Sequence, residues 1–307
     1  MPPEQLLDLA FELYSSGRAQ EAIDALTELL GESPDDSTAH ALLAMCLVTR
    51  KRLHAANLEA ESALALSPDN PFALMSAGWV AFAHRRFNDA ETRMIGALEL
   101  DPESAALHRE CARFYHLVDR NPEAREQVEA SLAIEGDSPD GLSLLGTIAF
   151  HEGQRPQAAD LAIRALAGDP EHADALVLLG RCQLAAGAVD EARGRALEAL
   201  SVNPEHAQAR ALLCSVKARK NWALGLWWRL QSWLSSGSST RAIALLVGMY
   251  VAYRSVVILL QGVGGDKTAQ AIQYLWLGFC VYTWVAPGMF AKSLRKEMQS
   301  VTLRRDF

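Results

Sequence analysis
The sequence predicts an all-α fold: a superhelical solenoid of six helix–turn–helix units with a capping helix, followed by a two-helix transmembrane hairpin. Three observations predict it. Turn prolines recur at Pro34, Pro68, Pro102, Pro170 and Pro204, at intervals of 34 residues or twice that, and Gly136 stands on the skipped beat with Pro139 behind it. Between the beats, apolar residues follow helical spacing in two runs separated by a short break. Near residue 220 the composition changes from an acidic region to a basic, apolar, tryptophan-rich tail. A fixed period of this length marks a stacked array whose units bury their apolar faces only against one another.

The text at each beat is alike: SPDD, SPDN, DPES, DPEH and NPEH. In the first unit Leu6, Leu9, Ala10 and Leu13 share helical spacing, Ser15-Ser16-Gly17 interrupts it, and Ala22, Ile23, Leu26, Leu29 and Leu30 restart it. The turn proline is expected in the first turn of the next helix, where its missing N–H has no partner. The acidic residue after it suits that helix's positive end. The units span 3–36, 37–70, 71–104, 105–138, 139–172 and 173–206. Small residues recur within them: Ala10, Ala44, Gly78, Ala112, Gly146 and Gly180 in the first helices; Ala22, Ala56, Ala90, Ala124, Ala158 and Ala192 in the second. A third series reads Leu29, Ala63, Ala97, Ser131, Ala165 and Ala199. Small side chains there allow two helices to cross at about 8–10 Å. Residues 207–219 read as a lone first helix that caps the array.

This register resembles the tetratricopeptide repeat family, from the period to the small positions; the missing proline of the fourth unit and Leu29 of the first depart from it. The resemblance implies that the first helices line a concave, peptide-binding face. Its lining would be Leu7, Phe11 and Tyr14; Met45 and Val48; Phe72, Met75, Trp79 and Phe82; then a basic stretch of Arg109, Arg113 and His116, with Arg181 beyond. Two readings stay open. The aromatic residues either form the floor of a groove or fill gaps between units. Arg109 and Arg113, four apart and so on one helix face, either hold an acidic peptide or pair with array carboxylates such as Glu110. The Lys/Asn pairs of chaperone-binding members are absent: Leu7 and Phe11, then Ala41 and Met45, stand in their place.

The tail divides into three parts: a Trp-rich interfacial helix and linker (221–240), a hairpin (241–291) and a basic tail (292–307). Trp222, Trp227, Trp228 and Trp233 suit the headgroup layer of a bilayer, where the ring is apolar and the N–H meets water. SSGSST follows as a flexible joint. Residues 242–263 are long enough to span, at about 33 Å as helix. A short GGDKTAQ loop leads to a second apolar run, 271–291. Ala244, Gly248 and Ala252 form a small-residue stripe suited to close helix contact. Lys217, Arg219, Lys220, Arg229 and Arg241 precede the hairpin and Lys292, Arg295, Lys296, Arg304 and Arg305 follow it, which predicts both termini in the cytosol, at a bacterial inner membrane. Arg254, a cation near mid-span, points to an acidic group in a partner's membrane helix or a lipid phosphate drawn inward; otherwise it snorkels or marks a shallow hairpin that does not span.

Net charge is −14 over residues 1–220 and +6 over 221–307, together the −8 of the chain, so nucleic acid is not an expected partner. Cys46, Cys111, Cys182, Cys214 and Cys280 contain no close pair and read as buried thiols. No nucleophile-elbow, phosphate-loop, dinucleotide or zinc-protease motif occurs, and the histidines lack ligand spacing. The expectation is therefore no enzyme, no cofactor, no metal and no small-molecule substrate. The N-terminus has neither a basic region nor a long apolar core, so no secretory signal is expected. What remains is an interaction scaffold at a lipid bilayer whose cytosolic groove recruits a protein. The alternative is an accessory subunit of a membrane transport, secretion or envelope-synthesis complex, held through its hairpin.

Overall fold
The computed structural model describes residues 2–204, 206–220, 250–251, 253–259, 261 and 270–278. Among the described residues thirteen helices make up the repeat array, antiparallel in sequence: α1 (Pro3–Ser15) and α2 (Ala19–Glu32); α3 (Ser37–Thr49) and α4 (Leu53–Leu66); α5 (Pro71–Ala83) and α6 (Phe87–Leu100). They continue as α7 (Ala105–Leu117) and α8 (Asn121–Glu135); α9 (Pro139–His151) and α10 (Arg155–Gly168); α11 (Ala173–Ala186) and α12 (Val189–Val202); and the lone α13 (Ala207–Lys220). Each pair is one predicted unit. Helices pack on their sequence neighbours, and successive first helices pack more loosely on each other, except α3 and α5, which lie close. The core is accordingly a continuous stack of small clusters.

The recurring alanines explain the close pairing. Ala22, Ala56, Ala90, Ala124, Ala158 and Ala192 are all 0% exposed. Their partners in the first helices admit nothing larger at two glycines: a Cβ on Gly146 would stand 3.2 Å from Leu161 Cβ and one on Gly180 3.2 Å from Arg195 Cβ, with a leucine methyl nearer still in both. Leu29 is fully buried in the N-terminal cluster, so the terminal repeat takes a larger residue at this position without opening.

The turn prolines do not begin the helices. They stand at the second position of a four-residue turn such as Ser33–Asp36, closed by the Asp36 N–H on the Ser33 carbonyl at 3.3 Å. Proline's fixed φ suits that site. The residue closing each turn is the N-cap: Asp36, Asn70, Ser104, Ser138, His172 or His206. In the fourth unit Gly136 replaces the proline at φ 80°, a left-handed conformation open to glycine. The turn inside every repeat also places one residue in the left-handed region: Gly17, Lys51, Arg85, Asp119, Gly153 and Gly187. Three of these six lack the freedom of glycine.

Trp222, Trp227, Trp228 and Trp233, the Ala244–Gly248–Ala252 stripe and Cys280 lie outside the described residues. Within the predicted hairpin, residues 253–259 and 270–278 are helical, Arg254 is exposed, and the rings of Tyr253 and Trp276 stack at 4.7 Å. Among the described residues no helix is long and apolar enough to cross a membrane.

Candidate functional site
The superhelix encloses a cavity of about 760 Å³ lined from the first helix of every repeat and from α13. Curvature brings its ends together. The turn at Gly17 meets the end of α12, so that a Cβ on Gly17 would stand 2.8 Å from Asn203 Nδ2. Tyr14 of α1 therefore shares one lining with Gln208 and Ser215 of α13.

Of the residues expected in a groove, Tyr14, Met45, Val48, Trp79, Arg113, His116 and Arg181 line this cavity. Phe11, Phe72, Met75, Phe82 and Arg109 do not. Phe11 and Phe72 pack on each other at 5.5 Å. Met75 is 2% exposed and belongs to the core. Phe82 sits between Trp79, Phe87 and Phe114, at 5.6, 5.7 and 6.0 Å. Phe72, Met75 and Phe82 are drawn into the packing between repeats, whereas Phe11, though packed on Phe72, stays 37% exposed; spacing along a helix alone cannot separate such residues from groove lining.

The basic stretch divides as well. Arg109 pairs with Glu135 at the end of α8 and reaches Ser131. Arg113 turns into the cavity, where its guanidinium meets Glu110 at 3.2 Å. Trp79 Nε1–H donates to the other Glu110 oxygen at 2.9 Å. Glu110 foremost, then Asp174, Asp140 and Tyr14, raise the Arg113 pKa. Arg113 is thus balanced within the array, and of the two readings open for these arginines the structure shows pairing with array carboxylates.

The cavity's two lips differ in chemistry, one bearing carboxylates and the other imidazoles beside Arg181. Asp140 and Asp174 lie in the first turns of α9 and α11; His116 and His151 lie in the last turns of α7 and α9. From Asp140 to His151 the helix rises about 16 Å. The two carboxylates also suit the positive ends of their helices. The acidic residues are tied down by the N-capping histidines: His172 Nε2–H donates to Asp140 and His206 Nε2–H to Asp174, both at 3.0 Å. Meanwhile His172 Nδ1 accepts the Ala175 N–H and His206 Nδ1 the Ala209 N–H, each at 3.2 Å. The His172 bond foremost, with Arg113 and Arg109 more distant, holds the Asp140 carboxyl below its usual range. Burial pushes Asp174 up, but His206 and Arg113 outweigh it and the net shift is down. Burial, reinforced by Glu110, pushes Tyr14 up to about 12. The acidic lip and His151 are among the lining residues that the sequence reading missed, with Leu117 and the α13 residues Gln208 and Ser215. A carboxylate at the second position of consecutive repeats, Asp140 then Asp174, was the available signal.

Cys46, Cys111, Cys182 and Cys214 are buried free thiols, and burial pushes Cys46 and Cys111 up to about 12. Among the described residues no group of three or more His, Cys, Asp or Glu is placed to hold a metal ion.

Residues 13–75 and 149–216 match one family model and residues 75–140 another, both described as tetratricopeptide repeat. Tetratricopeptide repeat protein 13 of Homo sapiens is 28% identical over 152 residues, which is 48% of this chain and 18% of that protein. The chain therefore spans only a small part of that relative. A thermophilic tetratricopeptide protein of Thermus thermophilus superposes with a TM-score of 0.54 at 23% identity, over 59% of this chain and 99% of its own. Yeast Tom70 gives 0.52 at 18% identity, over 65% of this chain and 44% of that one. At these identities the structures share the fold.

Proposed function
Because the chain belongs to the tetratricopeptide repeat family, whose members bind protein partners, we propose that it is a membrane-anchored interaction scaffold that holds a peptide segment of another protein inside its superhelix. One observation carries this reading: a cavity of about 760 Å³ runs past every first helix, apolar at Tyr14, Met45, Val48 and Trp79 and polar beyond. Its length and mixed lining fit an extended segment with a hydrophobic anchor, the pattern by which grooves take peptides.

The anchor is the hairpin expected over 241–291, with both termini on the cytosolic side. Among the described residues of that region Ile258, Leu259, Tyr274, Leu275 and Leu277 are each more than half exposed, an apolar surface that suits lipid chains. The same surface suits the membrane helices of a larger assembly. That is the second reading, an accessory subunit held by its tail.

A photo-crosslinking residue at Leu117, which lines the cavity, should capture a partner that the same residue at Ile163, exposed on α10, does not. Equal capture at both places would remove the groove. Detergent-free lysis should sediment the full chain with membranes, and recovery in the supernatant would remove the anchor. Deleting 221–307 separates the two readings: a scaffold keeps its partner, whereas a subunit loses it.

A further inference from the structure
The scaffold reading leaves open what the groove recognises, and one end of the cavity is specific enough to say. Arg181 of α11 lies partly buried there, its guanidinium stacked over the Phe150 ring at 4.5 Å. One of its N–H groups donates to His151 Nε2 at 3.3 Å. No carboxylate pairs with Arg181 among the described residues, in contrast to Arg113, which Glu110 meets. A guanidinium drawn out of bulk water with only neutral partners is relieved by an anion, and an anionic oxygen makes its strongest hydrogen bonds with such a donor.

The neighbouring rings complete the arrangement. His116 and His151 meet edge to face at 4.7 Å. His116 Nδ1–H donates to Asn121 Oδ1 at 2.8 Å, which leaves Nε2 of the neutral ring an acceptor, so His116 braces the His151 ring and does not itself bind an anion. His151 accepts the Arg181 N–H on Nε2, so its neutral form carries the proton on Nδ1. The charged groups facing His151 are His116 and Asp119 from the α7 end and Arg181 from α11; Arg125 of α8 is taken by Glu152. Burial, His116 and Arg181 hold the His151 pKa down, against the weaker opposing pull of Asp119.

We propose that Arg181 and His151, the latter braced by His116, form a subsite for the side-chain carboxylate of a bound peptide, in the same cavity as the apolar wall of Tyr14, Met45 and Trp79. The proposal rests on the scaffold reading. It places acid recognition at Arg181 and not at the neutralised Arg113. A carboxylate seated between Arg181 and His151 replaces the hydrogen bond between them and accepts from both once His151 Nε2 takes a second proton, so binding takes up a proton and tightens as pH falls from 8 towards 6.

The test uses the full chain in detergent micelles and three pools of acetylated, amidated nonapeptides. Each pool fixes one Phe and one further residue, Glu, Gln or Lys, in an uncharged background. The wild type should retain the Glu pool about tenfold better than the Gln pool, the scale of one charged hydrogen bond. This preference should grow between pH 8 and pH 6 while Gln-pool retention stays level. Arg181→Gln should bring the two pools near parity. Arg181→Glu, checked for helix content, should turn the preference to the Lys pool. Parity in the wild type, an unaltered preference in Arg181→Gln, or a response confined to peptides with a free C-terminal carboxylate would overturn the subsite while leaving the groove. Retention of no pool would overturn both.

Discussion

At the junction of the second and third repeats, Ala41 of α3 faces Ser76 of α5, whose hydroxyl donates to the Ala41 carbonyl at 2.7 Å in a fully buried contact. At the next junction the same two repeat positions hold Met75 and Glu110. There α5 and α7 barely approach, whereas α3 and α5 run close along their length. The space is filled by side chains: Phe82 on Phe114, Trp79 on Glu110, and Arg120 on Glu91 at 2.8 Å. The other junctions fall between. Ser143 with Leu178 and Val177 with Leu212 give moderate approach; Leu7 with Leu42 and Arg109 with Leu144 give less. The bulk at two positions per repeat thus sets how far successive first helices stand apart, and with it the width of the cavity. One device is backbone contact through small residues; the other is a wedge of aromatic rings.

The comparison breaks most readily at the wedge. Phe114→Ala removes a ring that is 2% exposed and should cost about 3–5 kcal/mol in urea denaturation, with the earliest loss of exchange protection in α7. A loss below about 1 kcal/mol would mean that the rings do not hold this junction. The close junction should fail in the opposite way. Ala41→Met, which copies Met75 into a site that is 0% exposed, should cost about 1–3 kcal/mol by overpacking and widen the array in small-angle scattering.

Acid should separate the junctions more gently. Asp140 and Asp174 have depressed folded pKa values, so the stability they contribute is complete above the ordinary carboxylate value of about 4 and is lost as pH falls through the depressed ones. Exchange protection should therefore fall in α9–α13 before α3–α5. Asp140→Asn with Asp174→Asn should flatten the stability profile below about pH 4. The smallest effect expected is a gain. Arg85 and Lys51 hold φ of 60° and 59°. Changing either to Gly should stabilise by about 0.5–1 kcal/mol, read as a rise in the urea midpoint.

The periodic parts of this fold were open to sequence reasoning because each is a local requirement repeated. Ala22 and its five counterparts must be small wherever two helices cross, and the turn between Ser33 and Asp36 must be closed the same way each time. The departures come from contacts that the register does not encode. Arg109 and Arg113 are one helical turn apart, yet the end of α8 offers Glu135 to one while Glu110 sits beside the other. Met75 and Trp79 are likewise four apart, but one is core and the other wall, because the gap between α5 and α7 is wide enough to admit a side chain at one of them only. Asp119 shows the converse: it takes a left-handed position that Gly17, Gly153 and Gly187 mark openly, which the period reveals only once all six units are aligned.

The meeting of Gly17 with Asn203 has a consequence for how cargo arrives. With the first and sixth repeats in touch, a ribbon of polypeptide that has a free end can slide in lengthwise. A loop bounded on both sides by folded bodies must wait for the coil to spring apart. Loading would then be timed by the breathing of the protein and not by diffusion, and loosening that one clasp should hasten the capture of tethered loops while leaving free-ended strands almost unaffected.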